Sequence, residues 1–478
     1  MRELSVTLPG WANFCSRPRL EPGSRVLGLD GGGASQHKRV MHACYQELYA
    51  RRRAHVMDAI GARGEPAIAV LAAAPTYVRN NDVEHEYRQD SDLFYLTGFD
   101  EPQSVMVLLV PERKAVLFVR PRDPDREVWD GPRAGVDGAK SEFGADEAFT
   151  IDKLESELPK LLGNRRRLFY RLGRDRAFDD RVLEALEQTR RRARTGVYWP
   201  TEISDPAAIL HEMRLLKGSE DLDAMRTAAR ITRDAHLRAM AATRPGMFEY
   251  EVEALLLETF RKNGSERPAY GSIVGSGANA TVLHYRTNNR RMEDNDLLLI
   301  DAGCEYGYYA SDVTRTFPVS GKFTPEQRAI YQIVLDSQLA GIEATRVGAT
   351  IEEVHKKSVE VITRGLRDLG ILQGEVDELI ENEAFKPFYM HRTSHWLGMD
   401  VHDVGSYYLD NKPRLLESGM VLTVEPGVYI ARDCDKVDAK WRGIGVRIED
   451  DILVTPEGPQ NLTGDIPKSV ADVETACA

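Results

Sequence analysis

The strongest constraint on how this 478-residue chain folds is a set of carboxylates embedded in apolar strands of its second half. In LLLIDAGCEYGYYASDVTRTF (297–317), Asp301 closes an aliphatic run that reads as a buried strand, and Asp312 lies on the returning strand. A turn centred near Tyr306 and Gly307 sets Asp301 opposite Asp312, on one face and roughly 5 Å apart at Cβ. Glu425 ends the apolar part of MVLTVEPGVYI (420–430), and Glu449 lies in GVRIEDDILVT (445–455). Alternation puts Asp451, not Asp450, on the Glu449 face, and both aspartates remain rivals to Glu449. A single buried Glu is most often paired with an Arg, and Arg447 is near. Four carboxylates in dry strands are different: they repel and need shared protons or cations. Hard oxygen donors with few imidazoles suit Mn(II), Mg(II) or Fe(II). Two such ions, roughly 3.5–4 Å apart, can share bridging carboxylates.

The stretch MHRTSHWLGMDVHDVG (390–405) supplies nitrogen donors. It holds three of the eleven histidines, His391, His395 and His402, with no HExxH pattern to account for them. A fourth, His284, lies in GSGANATVLHY (275–285) and by itself reads as a satisfied core histidine.

Around these segments the chain divides in two. Residues 1–35 are irregular, and LDGGGAS (29–35) reads as a flexible linker. A helix is predicted from about His37 to Ala62. Apolar runs AIAVLAAAP (67–75), SVMVLLVP (104–111) and AVLFVRP (115–121), with helical segments at 150–163 and 178–194, predict an α/β domain with a mixed sheet. VYWPTEISDPAA (197–208) carries two prolines and marks the boundary. After it, helices are predicted over 218–241 and Glu249–Asn263. Thr324-Pro325-Glu326-Gln327 is a capping box opening a third, with an apolar face of Tyr331, Val334, Leu335, Leu339 and Ile342. Helices first and antiparallel strands after make this half α+β. The formal charge is -12, which argues against nucleic acid or an anionic membrane as a partner. No stretch is long and apolar enough to span a bilayer, and MRELSVTLPGWANFC lacks the apolar region of a signal peptide. Five cysteines without a CxxC spacing point to a reducing, cytoplasmic setting.

Taken together, LLLIDAGCEYGYYASDVTRTFPVSGKFT, MHRTSHWLGMDVHDVG, VLTVEPGVYI and GIGVRIEDD resemble the pita-bread metallopeptidases, specifically bacterial aminopeptidase P (Xaa-Pro aminopeptidase). The first half adds EYRQDSDLFYLTGFDEP (86–102), ISDPAA (203–208) and HEMRLLKGSEDL (211–222), so the likeness spans roughly residues 38 to 465. It implies an N-terminal extension (1–35), an N-terminal α/β domain (36–205) and an α+β pita-bread catalytic domain (206–478). It implies five metal ligands, Asp301, Asp312, His395, Glu425 and Glu449, around two divalent ions, by family habit Mn(II). Asp312 and Glu449 are the bridging pair, Asp301 serves one ion, and His395 and Glu425 serve the other. Glu425 also moves the proton. His402 donates to the scissile carbonyl, and His391 and His284 line the proline pocket. Arg447 and Tyr429 hold substrate or the carboxylates that stand behind the ligands. Asp82 and Trp129 match positions that reach toward the active site. The implied activity is release of the N-terminal residue from peptides with proline second, by a cytoplasmic homo-oligomer, a dimer or tetramer.

Prolidase, which cleaves Xaa-Pro dipeptides with the same ligands, is the nearest alternative. Methionine aminopeptidase usually lacks the long first half, and creatinase lacks the full ligand set. A catalytically inactive pita-bread binding module is the reading from another class, and it fits poorly because such relatives lose ligands.

Overall fold

The computed structural model describes residues 33–478, with side chains from position 45 onward. Of the extension expected over 1–35, residues 1–32 lie outside the described residues. Helix Gly33–Gly61 begins four residues before the expected His37, so the end of LDGGGAS is helical rather than linker.

The first half is built on a six-stranded mixed sheet. Its order is Glu147–Thr150, Lys114–Val119, Val105–Leu109, Ala67–Ala72, Arg167–Phe169, Glu202–Ser204. The three central strands pair antiparallel, and the outer pairings are parallel. The central strands are buried on both faces, which is why they read as continuous aliphatic runs. Ile68 and Val70 face a core with Leu154, Leu158, Phe178 and Val182 from two covering helices. Ala67, Ala69 and Leu71 face the opposite side, where Val56, Leu93 and Phe99 meet Met225, Tyr309, Leu397 and Val421 from the second half. Both halves therefore share one core. Arg165, in the basic run Arg165–Arg167, is buried and pairs with Glu112 at 2.6 Å.

In the second half, helices Ser219–Ala242, Glu249–Lys262 and Pro325–Ala344 match the periodic segments, and Thr324 and Gln327 form the expected capping box. One part of that helix differs: Leu339 is exposed, and the helix instead buries Ser337, Gln338 and Gly341.

The strands carry the larger correction. Leu297–Asp301 pairs with Thr314–Pro318, setting Asp301 against Thr314 rather than Asp312. The turn sits at Gly307 and Tyr308, both at positive φ, one residue later than expected, which shifts the cross-strand pairing by two. A shift of two preserves the side-chain face, so Asp301 and Asp312 still point to one side. Asp312 follows in a gap between strands Tyr309–Ala310 and Thr314–Pro318. The close approach there needs glycine: a Cβ on Gly303 would overlap the carbonyl oxygen of Ser311.

The two C-terminal strands also split. Val421–Val424 pairs with Asp450–Thr455 in one sheet, and Gly427–Ile430 pairs with Ile444–Arg447 in another. Val424 is opposite Asp450 and Gly427 is opposite Arg447. Glu425 and Glu449 thus face each other across the junction where the chains change sheet.

Candidate metal centre

Asp301, Asp312, Glu425 and Glu449 each sit at the end or interruption of a strand, and these interruptions converge. Asp312, His395 and Glu449 bring donor atoms within 4.8 Å of one another. The segment bearing His395 runs along Val421–Val424, with the Thr423 amide donating to the His395 carbonyl at 3.0 Å and the Glu425 amide to that of Thr393 at 2.8 Å. This places His395 Nε2 at 3.4 Å from Asp312 Oδ2 and 3.6 Å from Glu425 Oε1.

The hydrogen bonding fixes the imidazole. His395 Nδ1 lies 3.0 Å from the Trp396 carbonyl, which can only accept, so Nδ1 carries the hydrogen. In the neutral ring the Nε2 lone pair then faces two carboxylates. That is repulsive unless a proton or a cation lies between. Burial opposes a charge on this ring, but Asp312 and Glu425 overcome it and hold its pKa up at about 9. The carboxylates show the same shortage of positive charge. Burial, with Asp312 next, pushes Asp301 and Glu449 upward, although Arg447 counters it at both. Burial also takes Glu425 to about 7. A donor set of aspartate, glutamate and one Nε2-exposed imidazole, undercompensated by the protein's own cations, fits a hard divalent metal.

Arg447 is the chief internal counter-charge. It donates to Asp301 Oδ2 at 2.6 Å, Tyr429 Oη at 3.0 Å and Thr314 Oγ1 at 3.0 Å. Thr314 donates to Glu449 Oε2 at 2.6 Å. Tyr429 Oη donates to His391 Nε2 at 2.8 Å, while His391 Nδ1 donates to the Arg392 carbonyl at 2.8 Å. Both nitrogens of His391 are thereby engaged, and burial, reinforced by Arg447, lowers its pKa to about 3. What it offers a ligand is neutral ring surface. His402 packs edge-on to His395 with centroids 4.5 Å apart. His284 is exposed rather than a core histidine, yet close enough that its charge depresses both His391 and His402.

Two expected residues do not join the cluster. Asp82 is exposed in the turn between Val78–Asn80 and Val83–Glu84, and Trp129 is 84% exposed on helix Pro124–Asp130. Among the described residues, neither has a hydrogen bond, ion pair or ring contact with a residue of the centre.

Asp450 turns away and pairs with Arg315 at 2.7 Å and Lys468 at 2.6 Å. Asp451 lies behind Asp312, accepting from Ser311 Oγ at 2.9 Å and the Asp312 amide at 3.2 Å. Sequence reading missed Tyr270, whose hydroxyl donates to Asp301 Oδ1 at 2.6 Å and also contacts Asp312 Oδ1. A lone tyrosine in an irregular segment carries no signal of this. Thr314 was findable, because it stands two residues from Asp312 on the same face.

Family models match segments in both halves of the chain. Residues 223–456 match metallopeptidase family M24, and residues 49–170 match the aminopeptidase P N-terminal domain. The chain is 46% identical over 433 residues to the Xaa-Pro aminopeptidase of Escherichia coli (strain K12), covering 90% of this chain and 97% of that protein. It is 35% identical over 452 residues to Xaa-Pro aminopeptidase 3 of Homo sapiens, covering 91% and 86%. Among solved structures, Pseudomonas aeruginosa aminopeptidase PepP superposes with a TM-score of 0.88 at 52% identity, over 90% of this chain and 98% of that one. A zinc-substituted E. coli aminopeptidase P in complex with product superposes with a TM-score of 0.87 at 45% identity, over 90% and 98%.

Proposed function

The chain belongs to the M24 metallopeptidases of the Xaa-Pro aminopeptidase type, and from that premise we propose how its residues perform the reaction. The protein is a metal-dependent hydrolase that releases the N-terminal residue from peptides with proline in second position. The observation that carries the residue assignment is the meeting of Asp312, His395 and Glu449 around one point, with Glu425 and Asp301 alongside.

In this reading Asp301, Asp312, His395, Glu425 and Glu449 would hold two divalent cations, Mn(II) in the native protein, with Asp312 and Glu449 serving both. When bound, the cations act as Lewis acids toward the scissile carbonyl and acidify water. Glu425 takes a proton from the attacking water and returns it to the prolyl nitrogen, which is tertiary in the substrate and has no hydrogen of its own. His402 donates to the carbonyl oxygen as charge develops there. His391 and His284 present ring surface to the proline. Arg447 and Tyr429 fix Asp301 and His391 in place. Asp82 and Trp129 belong to substrate binding only if another copy of the chain carries them to the site. This ties them to the dimer or tetramer that is part of this proposal, as are a cytoplasmic location and the domain division at 205/206. Among the described residues, no helix is long and apolar enough to cross a membrane.

The test is hydrolysis by metal-free protein reloaded with Mn, Zn or Co, on a tripeptide Xaa-Pro-Xaa and a dipeptide Xaa-Pro. Cleavage of the tripeptide is expected, and cleavage of the dipeptide alone would make the protein a prolidase. Asp312→Ala and Glu449→Ala should lose both bound metal and activity. Full activity in either would overturn the ligand assignment.

A further inference from the structure

His402 has no side-chain hydrogen bond among the described residues, so its place beside His395 is set by the backbone of the loop that carries it. That loop is held on both sides of the histidine by one guanidinium. Arg214, in the last turn of helix Ala207–Leu215, donates to Asp400 Oδ2 at 2.7 Å and Asp403 Oδ1 at 2.6 Å. Its other arm donates to Asp92 Oδ1 at 2.8 Å, on helix Ser91–Thr97 of the first half. Lys217 Nζ meets Asp403 Oδ2 at 3.1 Å. The side chains of Arg214, Asp403 and Lys217 are at most 2% exposed. The loop closes on itself through the Asp403 amide and the Trp396 carbonyl at 2.9 Å, one residue from His395. Gly398 is packed so tightly that a Cβ there would overlap the Asp403 carboxylate. From the first half, Ser91 Oγ donates to Asp400 Oδ1 at 2.7 Å and Arg88 to the Met399 carbonyl at 2.8 Å.

We propose that Arg214 is a positioning residue: by clamping Asp400 and Asp403 to Asp92, it holds His402 at its working distance from the metal centre, and the first half of the chain thereby tunes the reaction. A buried, forked pairing of this kind fixes direction as well as distance. The inference rests on the reading of His402 as the donor to the carbonyl oxygen.

The experiment measures kcat, KM and bound metal for Arg214→Met, Arg214→Lys, His402→Ala and the Arg214→Met/His402→Ala double variant on an Xaa-Pro-Xaa peptide. Displacing a group by about 1 Å can cost about 100-fold in rate. Arg214→Met should therefore lose about 10- to 100-fold in kcat, with KM changed by less than about twofold and metal content unchanged. Arg214→Lys, keeping the charge but not the fork, should recover part of the loss. The double variant should lose no more than His402→Ala alone, because residues acting as a unit are not additive. In the zinc-loaded protein, the His402 ring resonances should broaden in Arg214→Met. Losses that multiply in the double variant, or wild-type kcat in Arg214→Met, would overturn the proposal. Wild-type kcat in His402→Ala would remove the reading of His402, and the clamp's purpose with it. If Arg214→Met does not fold, Asp400→Asn removes one partly exposed arm of the clamp. A several-fold kcat loss absent from the His402→Ala background supports the clamp, and wild-type kcat overturns it.

Discussion

At the scale of single residues, the centre is a place where negative charge exceeds what the protein itself can balance. Arg447 bonds Asp301, Tyr429 and Thr314 at once, and the remaining repulsion appears in the raised carboxyl groups. Glu425 makes this measurable. Its folded pKa of about 7, against an ordinary 4.5, means that the metal-free folded state binds its proton more tightly than the unfolded chain. The resulting penalty is absent below about pH 4.5 and complete above about pH 7, on the order of 3 kcal/mol. That figure is an upper value, since the side chain is 17% exposed. In thermal melts of metal-free protein, Glu425→Gln should gain more stability over wild type at pH 8 than at pH 5. An equal difference at the two pH values would assign the charge excess elsewhere. Tyr270 leads to a second expectation. Its hydroxyl ties Asp301 to Asp312, and outer partners of ligands typically govern about 10- to 100-fold in metal affinity. Tyr270→Phe should weaken metal binding by that factor in chelator competition while the fold stays intact. Affinity within twofold of wild type would count against it.

At the scale of elements, legibility followed how local the cause was. Helix Pro325–Ala344 could be read from Thr324 to Gln327 because a capping box is a four-residue device. The carboxylates could be read because an acid inside an aliphatic run violates local patterning. The strand breaks at Glu425 and Glu449 could not, because a chain changing sheet is set by its neighbours and not by its own periodicity. The same holds for the turn at Gly307 and Tyr308: glycine fits several turn registers, and the one adopted lets Gly303 pass beneath Ser311. That contact is testable. Gly303→Ala should destabilise the protein by on the order of 3 kcal/mol or more, since backbone must move. It should also weaken metal binding by displacing Asp312, one residue beyond Ser311. A denaturant midpoint and metal affinity unchanged from wild type would contradict the register.

At the scale of the molecule, the first half is more than an appendage to the metal centre. Leu93, Leu96 and Phe99 share a core with Met225, Tyr309, Leu397 and Met399, and the last two lie in the loop between His395 and His402. Phe94 stacks on Tyr308 at 3.6 Å between centroids, and Arg88 pairs with Glu305 at 2.7 Å. Burying each such aliphatic or aromatic side chain is worth about 1.5–3 kcal/mol. Several of them across one boundary outweigh the weak, polar contacts that let domains move independently. The two halves should therefore unfold together. Calorimetry of the metal-loaded protein is expected to give one transition in which both halves melt together. Residues 206–478 produced alone would leave Met225, Tyr309, Leu397 and Met399 without their partners and Arg214 without Asp92. Such a fragment should bind metal more weakly than the whole chain, because the segment following His395 has lost the surface it folds against. Two separated transitions, or a fragment with full metal affinity and full activity, would show that the centre assembles without the first half.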